Sequence, residues 1–304
     1  MKTQFPFALY DAFSTGSFGG STAGIVSDAG GLSTETMQRT AIEVGAPATA
    51  FLQSVDADLI DVRFFSTITE MGMCGHGTVA LSSHLVDSGV LAWDVHGEIT
   101  TTLRTPDGDS PLKIRRTNGR PLAMLDLNAS RFETPEIDTE ELARVLGISP
   151  DLLQSDYPIE KAIGDFIHLI VPLQSLANIR KVTPNFGAIA DFSRANNVQT
   201  VTVFTEEVEQ RDSTVHLRDF CPAVGTPESP AAGTTNGALT SYLVRHRIID
   251  PPSGVAQIVL AEQGYECGRP SQVRSEVTVN NGQIERLVVG GFARKSLIGE
   301  IFLS

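Results

Sequence analysis

Two stretches of this chain are versions of one another. Glu70 to Val86 (EMGMCGHGTVALSSHLV) aligns without a gap on Glu228 to Val244 (ESPAAGTTNGALTSYLV), at a constant offset of 158 residues in a chain of 304. Gly75 falls on Gly233, Ala80-Leu81 on Ala238-Leu239, and Ser82-Ser83-His84-Leu85-Val86 on Thr240-Ser241-Tyr242-Leu243-Val244. A repeat at half-length restricts the fold to two similar halves. In each copy apolar residues recur at helical spacing behind a Gly-rich turn, so each reads as a helix, the first beginning near Gly75. Cys74, His76 and Thr78 then sit at the start of a helix, where unpaired N–H groups and the positive end of the dipole favour an anion and lower a thiol's pKa. The copies differ where chemistry would be done: Cys74 falls opposite Ala232.

The rest of the chain supplies sheets. Phe5–Phe13, Ala48–Gln53, Leu59–Ser66, Ile99–Arg104, Pro111–Arg116, Leu122–Leu127, Asp165–Pro172, Val198–Thr205, Ser213–Phe220, Ile258–Glu262, Gln272–Val279, Gln283–Val289 and Ser296–Phe302 read as strands. Ser33 or Thr34 caps a helix to Val44, Asp138-Thr139-Glu140-Glu141 opens another as a capping box, and Thr183-Pro184 opens one toward Asn196. Turn signals such as Asn280-Asn281-Gly282, without βαβ alternation, predict an α+β fold with mixed or antiparallel sheets. The boundary expected is 1–115 for a first domain and 116–290 for a second.

Formal net charge is −13, which argues against a nucleic-acid partner and against an anionic membrane surface. Three cysteines at irregular spacing make neither a disulfide framework nor a zinc site. The N-terminal residues MKTQFPFALYDAF lack a signal-peptide core, and no apolar run is long enough to span a bilayer, so a cytoplasmic protein is expected.

Successive segments resemble one family in order along nearly the whole chain: Tyr10-Asp11-Ala12-Phe13; Met37-Gln38-Arg39-Thr40-Ala41 with Thr49-Ala50-Phe51-Leu52; Arg63-Phe64-Phe65 with Gly75-His76-Gly77-Thr78; Pro227 to Thr234; and Gln263-Gly264 with Gly268-Arg269-Pro270-Ser271. They are similar to PhzF-like proteins, relatives of the phenazine-biosynthesis isomerase in the diaminopimelate epimerase superfamily. The resemblance implies two domains, each a sheet wrapped around a central helix, with the last strand, about 291–304, returning to the first domain. It also implies an active site in the cleft between the domains, proton transfer at carbon without a cofactor, and a homodimer. The departures are specific. The phenazine enzyme's catalytic Glu would fall at Ala48, its signature Asp at Ser229, and a common Asn at Ser21, while its His is kept as His76. Met73-Cys74-Gly75-His76-Gly77 looks instead like the proline racemase and hydroxyproline epimerase loop, in which that Cys is one of two bases; the partner Cys would fall at Ala232.

One base can take a proton from one carbon and return it to another on the same face, whereas racemisation needs a base on each face. The expectation is therefore an isomerase that moves a proton and a double bond in a small unsaturated carboxylic or amino acid, with Cys74 and His76 as acid/base. Two helix ends and His76 are expected to bring the Cys74 thiol toward neutrality. Ser21, Gly75, Gly77, Thr78, Ser229, Gly233, Thr234 and Thr235 are the candidates for holding the substrate carboxylate, and Phe18, Met71, Met73 and Tyr242 for lining the pocket. The resemblance makes a role in secondary metabolism plausible, for example toward an alkylproline antibiotic precursor. The alternatives are dehydration or epimerisation of a hydroxyproline-like acid, and a pseudoenzyme that only binds a small carboxylate. Asp11 and Glu70 are read first as hydrogen-bonding groups and second as proton carriers. Cys221, Cys267 and His84 are read as packing residues.

Overall fold

The half-length repeat is carried by backbone pairing. In the computed structural model, which describes residues 3–56 and 58–303, the chain divides into two units: Met1–Asp126 with Gly290–Ser304, and Leu127–Val289. In the first unit β1 (Gln4–Ala12), β2 (Ser21–Val26), β3 (Ala48–Val55), β4 (Leu59–Phe65), β5 (Glu70–Met71), β6 (Glu98–Thr105), β7 (Gly108–Thr117) and β8 (Arg120–Leu127) accompany α1 (Thr34–Val44) and α2 (Gly75–Asp87). The second unit holds β9 (Arg131–Glu133), β10 (Glu160–Ile163), β11 (Ile167–Pro172), β12 (Thr200–Thr205), β13 (Val215–Cys221), β14 (Thr226–Ser229), β15 (Ala256–Gln263) and β16 (Ser271–Asn280). Its helices are α3 (Thr139–Leu146), α4 (Leu176–Lys181), α5 (Phe186–Ala195) and α6 (Gly233–Arg245). The last strand, β17 (Gln283–Phe302), begins in the second unit and ends in the first.

The ladders repeat strand for strand. In the first unit β2 runs parallel to β3, β3 antiparallel to β4, β4 antiparallel to β5 and parallel to β6, and β6 antiparallel to β7. In the second, β11 runs parallel to β12, β12 antiparallel to β13, β13 antiparallel to β14 and parallel to β15, and β15 antiparallel to β16. The two central helices hold the same place in this order. α2 packs on β1, β2 and β3, and α6 on β10, β11 and β16. Both are buried almost all round, Gly77–Ser83 and Leu85 in one and Thr235–Leu243 in the other. That is why neither shows the one-sided apolar stripe of a surface helix.

Three features depart from the sequence reading. Gln283–Val289 and Ser296–Phe302 form one strand, because Gly290 lets β17 lie against β8: a Cβ there would stand 1.9 Å from the Ala123 carbonyl oxygen. The fifth helix is capped by Asn185, whose side chain accepts from the Ala188 N–H, and not by Thr183, whose hydroxyl goes to the Gly147 carbonyl. Tyr242 is wholly buried in the second unit, with its hydroxyl on the Pro158 carbonyl, and so lines no open pocket. Residues 115 and 116 lie inside β7, which pairs with β8 from Leu112↔Leu125 to Thr117↔Arg120, so that hairpin stays whole in the first unit.

Candidate functional site

Cys74 is the N-cap of α2, in extended backbone (φ −143°, ψ 105°), and its side chain does not cap the helix. The Thr78 hydroxyl donates to the Cys74 carbonyl at 2.8 Å and is thereby committed. The thiol lies 3.5 Å from Nδ1 and 3.8 Å from Nε2 of His76. Gly77 is required beneath it, because a Cβ there would stand 2.7 Å from the Phe64 ring and 3.2 Å from the Cys74 sulfur. Burial sets the charge state of the pair. It pushes the Cys74 thiol up to about 12, against the lowering effect of the Gly77 and His76 N–H groups, and the His76 imidazole down to about 4. This corrects the expectation of a thiol tuned toward neutrality: desolvation outweighs the helix end, and the resting pair is a neutral thiol beside a neutral imidazole. The other helix-start candidates follow from this turn, with Gly75, His76 and Gly77 as its first three helical residues. Ser21 is buried at the start of β2, opposite Ala12.

The same position in the second unit is built without a nucleophile. Ala232 is the N-cap of α6 (φ −137°, ψ 118°) and offers the helix no side-chain acceptor. Asn236 Nδ2 donates to the Ala232 carbonyl at 2.8 Å, as Thr78 does to Cys74. Gln263 fixes the loop: its Oε1 accepts from Asn236 Nδ2 and the Ala232 N–H, and its Nε2 donates to the Ser229 carbonyl. Gly233 and Thr234 open the helix half-exposed, while Thr235 is buried with its hydroxyl donating to Asp219. Asn236 and Asp219 have no role in the sequence reading, and Gln263 enters it only within the Gln263-Gly264 signature, not as a site residue. A visible signal for Asp219 is the pair of tripeptides Arg63-Phe64-Phe65 and Arg218-Asp219-Phe220, which sit ahead of the two repeat copies.

A matched ion pair supports each helix start. Arg63 forks onto Glu70 with two bonds of 2.7 Å and lies 5.2 Å over the Phe65 ring. Arg218 forks onto Glu228 with two bonds of 2.9 Å and lies 4.9 Å over the Phe220 ring. Glu70 is therefore a structural partner, as is Asp11, which accepts from the Thr22 hydroxyl at 2.7 Å. His84 packs edge-on to Tyr10 and bonds Ser27. Cys221 is buried, and Cys267 is exposed.

The family model for phenazine biosynthesis-like proteins (PhzC–PhzF) matches residues 10–297. The chain belongs to the phenazine biosynthesis-like family. It is 33% identical over 290 residues to a Deinococcus radiodurans protein named an uncharacterized isomerase, covering 94% of this chain and 91% of that one. It is 28% identical over 291 residues to the trans-2,3-dihydro-3-hydroxyanthranilate isomerase of Pseudomonas chlororaphis, covering 94% and 95%. The crystal structure of a PhzF-family phenazine biosynthesis protein from Bacillus anthracis superposes with a TM-score of 0.90 at 28% identity, covering 100% of both chains. Against these relatives of the PhzC–PhzF family, the enzyme class of this chain is isomerase. Among the described residues no group of three or more His, Cys, Asp and Glu side chains is placed to hold a metal, and no helix is long and apolar enough to cross a membrane.

Proposed function

We propose that this chain is a cofactor-independent isomerase that moves a proton, and with it a double bond, in a small unsaturated carboxylic or amino acid, with Cys74 and His76 as the acid/base pair. The carrying observation is the 3.5 Å contact between the thiol and Nδ1 at the start of α2. A neutral imidazole is a free base and a neutral thiol a free acid, so the two can act in sequence. His76 takes a proton from one carbon, leaving an allylic, enolate-like anion. The thiol gives its proton to a second carbon on the same face. The thiolate and imidazolium left behind are neutralised when the His76 Nδ1 proton crosses to the sulfur. Each step forms and breaks only C–H, S–H and N–H bonds, and the N–H groups of the first helical turn stabilise negative charge while it exists. Gly75 and Gly77 in α2 of the first unit, and separately Gly233 and Thr234 in α6 of the second, are proposed as N–H donors to a carboxylate. A ring acid of secondary metabolism as substrate fits the relative from Pseudomonas chlororaphis. A cytoplasmic homodimer completes the proposal, and sedimentation of the purified protein tests the dimer.

The test is solvent-deuterium incorporation followed by proton NMR. The panel comprises trans-2,3-dihydro-3-hydroxyanthranilate, cyclohexene carboxylic acids with the double bond in different positions, and hydroxyprolines. Incorporation at carbon with migration of the double bond by wild type, falling roughly 10²–10⁴-fold in Cys74→Ala and in His76→Gln, is the expected result. Full turnover by Cys74→Ala would remove the thiol from the chemistry.

A further inference from the structure

We propose that the second unit contains its own acid–base centre, in which the buried Asp219 and His168 exchange protons through Thr200, Thr202 and Thr235 and serve an anionic ligand at the first turn of α6. This rests on the reading of the α6 turn as a carboxylate site and adds to it a second proton carrier.

The bonds form a closed ring. The Thr235 hydroxyl donates to Asp219 Oδ2 at 2.9 Å and lies 3.5 Å from His168 Nδ1. The Thr202 hydroxyl donates to Asp219 Oδ1 at 2.9 Å and lies 3.4 Å from the Thr200 hydroxyl, which is 2.8 Å from His168 Nδ1. Every member is buried, from fully for Thr202 to 4% exposed for Thr200. His168 also lines a cavity of about 30 Å³ with Asn128, Ser130, Phe166, Thr234 and Gly237. That space admits one water with polar partners.

Comparison with the first unit shows that the fold does not need this ring. The matching ladders put Ala23 where the second unit has His168, Ala48 for Thr200, Ala50 for Thr202 and Phe64 for Asp219, and the helix alignment puts Gly77 for Thr235. All of these first-unit residues are buried and none carries a polar side chain. Desolvating a carboxyl is expensive, and an apolar set of the right volume fills the same place. The second unit thus carries an acid and an imidazole directly beneath a helix start that lacks a nucleophile.

The electrostatics suit a proton exchanger. Burial raises Asp219 to about 6 although its hydroxyl partners pull it down, and burial lowers His168 to about 4. Glu228 on β14 raises Asp219 further, Cys221 lies beside it on β13, and the Arg218 guanidinium is turned to Glu228 and to the Ile179 and Val182 carbonyls. Near neutrality both forms of the carboxyl are therefore populated. A proton entering at His168 Nε2 from the cavity releases the Nδ1 proton to Thr200; Thr200 passes its own to Thr202, and Thr202 its own to Asp219. Only N–H and O–H bonds form and break, and one positive charge is transferred to the carboxylate.

An anion at the α6 turn must raise the Asp219 pKa, so binding must take up protons. Calorimetric titration in buffers of different ionisation enthalpy measures this, with acetate, cyclohex-1-ene-1-carboxylate and anthranilate as probes. A rise of about one unit from about 6 gives an uptake of about 0.4 proton per ligand at pH 7. The uptake should vanish in Asp219→Asn and shift to a different pH in Thr235→Val and Thr202→Val, which keep the carboxyl; circular dichroism checks that each variant is folded. Cys74→Ser should retain it, which separates this centre from the chemistry at α2. Binding without uptake, uptake unchanged in Asp219→Asn, or failure of all three probes to bind overturns the proposal.

Discussion

The two units share a scaffold and differ in where they keep their chemistry. In the first, a thiol and an imidazole stand on the helix start itself, Cys74 and His76, over an apolar floor of Ala23, Ala48, Ala50 and Phe64. In the second, the helix start carries Ala232 and Thr234, and the titratable groups lie in the floor, Asp219 and His168. Both keep the forked Arg–Glu pair and the side chain that bonds the N-cap carbonyl. What is common to both units is therefore what shapes the turn, and what differs is what can carry a proton.

Moving the acid to the wrong floor should break this comparison most severely. Phe64→Asp places a carboxyl among alanines that offer it no hydroxyl and removes a fully buried ring. A loss above about 3–5 kcal/mol is expected, enough to unfold the first unit, read by urea unfolding. Arg218→Ala leaves Glu228, only 8% exposed, without its partner, and should cost about 3–5 kcal/mol.

Asp219→Asn should act through pH. The native carboxyl keeps its proton to about pH 6, while the unfolded chain loses it near 3.8. Unfolding releases that proton in between, so wild-type stability falls as pH rises through this window, by about 2–3 kcal/mol in all, and the variant should lack that fall. Denaturation midpoints at about pH 3.5 and about pH 6.5, which bracket the window, decide it. Gly77→Ala drives a methyl into the Phe64 ring and should cost about 1–3 kcal/mol, while Thr235→Ala, which already has a Cβ in its site, should affect pH behaviour more than packing. The smallest effect belongs to Arg63→Ala. Its pair with Glu70 is about a quarter exposed, and roughly 1 kcal/mol or less is expected. An Arg63→Ala loss equal to that of Arg218→Ala would mean that burial does not distinguish the two pairs.

Much of this was legible from the residues alone. The gapless repeat located both helix starts, and the order of strand and turn signals located most of the ladder, because period and turn chemistry are local properties. The Cys74–His76 pair was legible for the same reason: residues two apart at a helix start lie close together. The continuity of β17 was not legible, since Gly290-Gly291 reads as a break until the Ala123 carbonyl is seen against it. The tripeptide match marks Asp219, but its setting was not legible, because its partners come from β11, β12 and α6, far apart in the chain.

The sequence by itself determined that this protein has two similar halves, each with a helix that opens on a glycine, Gly75 or Gly233, and that only one of the residues ahead of them is a thiol. Spacing and residue type suffice for that. Tertiary structure alone decided the state of the groups. The helix end argues for a lowered thiol pKa, yet desolvation by the surrounding sheet raises it, and desolvation also holds Asp219 near neutrality. Charge state depends on what surrounds a group in space, and here those surroundings are assembled from strands that are not neighbours in the chain.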